Sequence, residues 1–296
     1  GGTGGAGRPS LPPFIEKVCL ETAKERMTEL LDLVQESLEP KGFEFAQASL
    51  RPDCIMMRTF LEDAHKLFKQ FNHPDLFPIG LRLIDYSYRL NPMDNVTDVL
   101  SKLSEYIELT QNTVERNEKR KELAALLANI GNFEAAIKTA QSITGPDIRF
   151  DTFFNSIVPV LIACREVPLA IECLSTHCRG QINADDDLRI KSKKIERALL
   201  VAGKLIELGE NQKAEDILFP AVGPLKNDRE EDRSCLEKAA ILLSRLGKKK
   251  AAIKLLIEGR FDARLIKPDQ FEEEKLNLLA RQWPDFYAEL MKHSDQ

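Results

Sequence analysis

The sequence predicts an all-α fold, a solenoid of antiparallel helix hairpins, on three observations. A skeleton of Gly131 and Ala136 between two apolar runs returns as Gly209 with Ala214, as Gly247 with Ala252, and as Ala170 with Arg165 in the glycine's place. Apolar residues recur at three-and-four spacing, the period of amphipathic helices. Turn formers such as Gly145-Pro146 fall between those runs. A helix that reverses direction within a few residues needs one backbone position at positive φ, which glycine adopts cheaply. The alanine fits where two close helices leave room for only a methyl group.

Taken in order, residues 1–13 read as a flexible Gly/Pro-rich tail or linker. Their Gly2-x-Gly4-x-x-Gly7 matches the dinucleotide fingerprint by letter only. No strand precedes it, and Pro9, Pro12 and Pro13 stand where a phosphate-holding helix would begin. The first residue is Gly, consistent with a trimmed chain whose removed signal would be invisible. Phe14, Ile15, Val18, Cys19, Met27, Leu30, Leu31, Val34 and Leu38 predict one helix over 14–38, ended by Glu39-Pro40-Lys41-Gly42. Two helical runs follow at 54–71 and 76–90, broken at Asn72-His73-Pro74-Asp75 and stopped by Asn91-Pro92. A further helix is predicted from Val96 to about Thr110. Helix pairs then span 118–143, 151–177, 187–208 with 211–219, and 233–246 with 248–258; a polar loop runs from Pro220 to Asp232. The domain reading is a helical region with a degenerate repeat over 14–116, clear repeats over 117–260, and capping helices over 261–296, interrupted at Trp283-Pro284.

With 43% hydrophobic and 30% charged residues, the 296-residue chain has the composition of a globular protein. A net charge of −5 disfavours a protein whose main task is neutralising phosphates. Six cysteines (Cys19, Cys54, Cys164, Cys173, Cys178, Cys235) scattered through a chain this long fit reduced thiols and a cytoplasmic setting. The longest apolar run, Ile157 to Cys164, contains Pro159 and is far below the roughly 18 residues a bilayer span needs.

The pairs resemble tetratricopeptide (TPR) repeats, which place apolar or small residues at unit positions 4, 7, 8 and 11, a glycine turn at 15 and alanine at 20. From Asn117 the matches are Leu123, Ala124, Leu127, Gly131 and Ala136, with Arg120 departing at position 4. From Asp151 they are Phe154, Ile157, Val158, Leu161 and Ala170, with Arg165 departing. Units from Ile195 (Ala198, Val201, Ala202, Leu205, Gly209, Ala214) and Arg233 (Leu236, Ala239, Ala240, Leu243, Gly247, Ala252) complete the set, and a weaker one starts at Leu61. The starts lie 34, 44 and 38 residues apart, against the family's 34. The resemblance implies a right-handed α-solenoid whose groove, lined by each unit's first helix, binds a peptide or helix of a partner protein. By unit position, that groove is expected to present Lys121, Asn129, Asn155, Glu196, Glu207, Glu237 and Arg245. The family's carboxylate clamp needs Lys at position 5 and Asn at position 9. Lys121 and Asn155 occupy position 5, but position 9 holds Ala125, Pro159, Gly203 and Ile241, so no clamp is expected.

Catalytic signals are weak. Cys173, His177 and Cys178 cluster but cannot complete a tetrahedral zinc site, and they read as packed core groups. The four histidines have no nucleophile or acid at a telling spacing, and no P-loop or zincin motif occurs. No cofactor, metal or catalytic residue is assigned. Basic runs at Lys119-Arg120-Lys121, Lys191 with Lys193-Lys194, and Lys248-Lys249-Lys250 read as solvated faces, with an anionic-partner patch as the other option. The sequence thus points to a non-enzymatic protein-binding scaffold. An RNA-binding helical-repeat protein, or the docking domain of a larger enzyme, is the alternative.

Overall fold

The computed structural model describes residues 12–39, 53–91, 96–259, 261 and 273–292. The Gly-rich start, the Pro40–Gly42 stop, Pro92, the side chain of Cys54 and His293 lie outside the described residues. Among the described residues every regular element is helical and none is a strand. Backbone contacts divide the chain into two compact units, Gly1–Ile148 and Arg149–Gln296.

In the first unit α1 (Pro13–Leu38) packs on α2 (Asp53–Gln70) and α3 (Phe77–Leu90), and α4 (Thr97–Leu109) joins α3 to α5 (Thr113–Asn129), which pairs with α6 (Phe133–Gln141). Pro13, read above as tail, is the first residue of α1, where a missing N–H costs nothing. Phe68 and Tyr106 meet edge to face at the centre of this core, 6.3 Å apart. The Lys102 ammonium donates to the carbonyls of Phe68, Lys69 and Phe71 at 3.1, 3.2 and 3.1 Å, closing the C-terminal end of α2. Arg120, the polar residue at an apolar position, is 9% exposed. It donates to the Ser142 carbonyl at 2.9 Å and to Glu108 at 3.1 Å, which is how a buried guanidinium is tolerated.

The second unit holds α7 (Pro146–Asp151, straddling the boundary), a π-helical turn (Thr152–Ile157) and α8 (Val158–Ala163) as one continuous rod. It pairs with α9 (Val167–Glu172) and a second π turn (Cys173–His177). α10 (Leu188–Glu207) packs on α11 (Asn211–Val222) and on α12 (Arg233–Arg245), and α12 also packs on α13 (Lys249–Glu258). α14 (Glu273–Gln282) and α15 (Pro284–Lys292) follow, with α15 against α12. Pro159 explains the first π turn: its ring collides with the carbonyl four residues back, at Asn155, and widening the helix there relieves the clash. α11 does not stop at Pro220 as expected but continues to Val222, because Ala221, Val222 and Leu225 are buried and hold the last turn in place.

The repeated skeleton has one structure in all four places. Gly131, Arg165, Gly209 and Gly247 stand at φ 83°, 63°, 81° and 78°. Each turn closes with the same two bonds of a Schellman motif, Asn132 N–H to Leu127 and Gly131 N–H to Ala128 in the first copy. The other copies run Glu166 to Leu161, Glu210 to Leu205 and Lys248 to Leu243. Ala136, Ala170, Ala214 and Ala252 are all 0% exposed. Their N–H groups make the same bond to the residue four back, opening each second helix. Arg165 is the strained copy, since a Cβ at positive φ crowds the following carbonyl. Arg165→Gly is therefore expected to raise stability by about 1 kcal/mol. A later denaturant midpoint with unchanged slope checks this.

Candidate functional site

On α10, residues 196, 199, 200, 203, 204 and 207 recur every three or four positions and so share one face. Residues 238, 241, 242 and 245 do the same on α12. These two faces and Phe154, on the first π turn, line a cavity of about 430 Å³. Its floor is apolar: Leu199, Ile241 and Leu242 with Phe154 beside them, and Leu200 stands 52% exposed in mid-helix. Gly203 lies in that floor, where an added Cβ would touch only Leu242 at 3.5 Å, so the missing side chain leaves a depression.

Charge is confined to the rim. Lys204 Nζ lies 3.2 Å from Glu207 Oε2, and Arg245 Nε donates to Glu289 Oε1 of α15 at 3.2 Å. Glu196 and Lys238 form no ion pair among the described residues. Two acids beside three cations on an apolar floor suit a mixed-charge amphipathic segment. They suit a phosphate backbone poorly, because the acids repel it.

The structure brings Glu196, Glu207 and Arg245 together here. Asn155 is exposed next to Phe154 and donates to Asp151 Oδ1 at 2.6 Å without lining the cavity. Lys121 and Asn129 sit on α5 in the first unit and are not among the lining residues. Glu237, one residue before the lining face of α12, turns toward Asp285 of α15 instead. Phe154, Leu200, Lys204 and Lys238 were not among the groove residues expected from the sequence. A signal existed in the unbroken apolar run Ala198–Ala202, which is wider than the stripe needed to face one core.

Glu237 has a raised pKa, first because burial disfavours its charge and then because Asp285 faces it. Its Oε2 is buried with no hydrogen-bond partner. A carboxyl whose folded pKa lies above the unfolded one contributes stability below the unfolded pKa and loses it as pH rises through the folded pKa. Glu237→Gln, whose amide can donate to Asp285, is thus expected to stabilise the protein at neutral pH. The gain should vanish as pH falls below the ordinary glutamate range. Melting temperatures of both proteins across that window check it.

The remaining candidates are structural. Cys173 and Cys178 are 0% and 3% exposed. Burial pushes their thiols up to about 11 and about 12, so neither is a thiolate at neutral pH. The His177 ring stacks on Phe153 at 4.7 Å, and burial lowers its pKa. Among the described residues no three His, Cys, Asp or Glu side chains gather as a metal would require. Several lysines of the basic runs serve the fold. Lys119 donates to Thr110, Lys194 to the Gln181 carbonyl and Asp186, and Lys248 lies over the Phe219 ring. Among the described residues no helix is long and apolar enough to cross a membrane.

Compared with family models, with curated proteins and with solved structures, the chain matches none.

Proposed function

We propose that this chain is a protein-binding scaffold with no reaction of its own. In this reading its helix pairs are TPR-like hairpins of a right-handed α-solenoid, and the groove over α10 and α12 takes a helix or peptide of a partner protein. The observation that carries it is the cavity itself, with its apolar floor, the depression at Gly203 and a charged rim. Such a surface suits an amphipathic helix whose apolar residues recur at i, i+3, i+4 and i+7. The four identical turns support the repeat reading, and the free thiols of Cys173, Cys178 and Cys235 support a reducing, cytoplasmic setting.

Selection of a displayed peptide library on the intact chain, with counter-selection on Leu200→Glu, tests the proposal. Helix-forming peptides with an apolar stripe should be enriched on the original chain and lost on the variant. Failure to enrich any peptide, or equal enrichment on both, contradicts it.

A further inference from the structure

The first helix of the chain has a second apolar face. The core stripe of α1 is Ala23, Met27, Leu30, Leu31 and Val34, all buried. Phe14, Ile15 and Val18 are 76%, 44% and 48% exposed. At about 100° per residue these three fall within an arc of roughly 100°, centred roughly 150° from the core stripe. They are therefore not the frayed end of the buried face. They form a separate apolar ridge on the opposite side of the helix, little more than one turn long, and it is exposed among the described residues. Lys17 and Glu21 run along one edge of that ridge. Among the described residues Glu21 pairs with Lys24 at 3.7 Å, a long, solvent-accessible contact that contributes little.

We infer that the helix received by the groove is α1 of a second copy of this chain. This rests on the groove being a docking surface. Two arguments choose this occupant. First, ridge and groove are complementary in form: three apolar side chains at i, i+1 and i+4 on one, and an apolar floor lowered at Gly203 on the other. Second, they are complementary in charge. The ridge offers one cation and one anion along its edge, Lys17 and Glu21, and the groove rim holds one anion and one cation that form no ion pair among the described residues, Glu196 and Lys238. The ridge belongs to the first unit and the groove to the second, so the contact is head-to-tail. Each copy offers both halves, so association ends in a ring where the rotation closes and continues as an open chain where it does not. The patch is small, placing the contact in the weak, transient class.

Sedimentation velocity of the intact chain over a concentration series tests this. The weight-average sedimentation coefficient should rise with concentration. Val18→Glu, which spoils only the ridge, and Leu200→Glu, which spoils only the groove, should each weaken association by about tenfold or more, because either buries a charge against apolar surface. Both positions are solvent-facing, and circular dichroism verifies that the variants keep their helices. An equimolar mixture of the two variants retains one intact ridge and one intact groove, and should form a complex of two chains and nothing larger. Lys17→Glu should weaken association, and Glu196→Lys on the partner copy should restore it. A chain that stays monomeric throughout, association that survives Val18→Glu, or a mixture that forms no pair overturns the inference. If the chain is monomeric yet peptides selected on the groove are lost with Leu200→Glu, this inference fails while the groove reading stands. If Leu200→Glu changes neither self-association nor peptide binding, both fail.

Discussion

Replacing Phe153 with alanine is expected to lower the stability of the second unit by about 3–5 kcal/mol, the range for emptying an aromatic site in a packed core. The ring is 0% exposed, stacks on His177 and sits in the first π turn. Removing it leaves a cavity between two elements whose helical geometry is already irregular. The single tryptophan, Trp283, is 4% exposed and lies in the same unit, so its fluorescence follows this unit's unfolding. A fall in denaturant midpoint at constant slope is the predicted outcome. A change below about 1 kcal/mol would mean that the ring fills surface and not core.

The second large effect concerns the small residue of the repeated skeleton. Ala214→Leu adds volume at a position that is 0% exposed, where α11 turns back on α10, and should cost about 1–3 kcal/mol or more through forced separation of the helices. The neighbouring Lys213 is exposed, and Lys213→Leu should stay within about 0.5 kcal/mol. The introduced side chain is the same in both variants and only one site is buried, so a difference of this size reports packing at the turn. Equal effects would remove the reason given for alanine at this place. Trp283 fluorescence measures both.

Much of the helical architecture was legible because it depends on local rules. A turn of this kind needs positive φ at one residue, and three glycines plus Arg165 stand at that residue. Close helices need a methyl group, and four alanines supply it. The parts that were not legible depend on neighbours distant in sequence. Pro220 reads as a stop, yet buried Ala221 and Val222 carry α11 past it. Arg120 reads as a break in the pattern until Glu108 and the Ser142 carbonyl are found beside it. The candidate site was visible only in part. Unit position pointed to Glu196, Glu207 and Arg245, which share the cavity. It also pointed to Glu237, which the packing of α15 against α12 draws to another side. Phe154 was read only as a match at an apolar unit position, whereas on the π turn it lines the cavity wall.

The groove is the central claim, and methyl NMR spectra recorded while a groove-selected peptide is titrated into the intact chain test it most directly. The account predicts progressive shifts of the methyl signals of Leu199, Leu200, Ile241 and Leu242, with those of Leu30, Leu31 and Ile84 in the first unit unmoved. Shifts confined to methyl groups elsewhere, such as Leu100, Ile107 and Leu127, would contradict it.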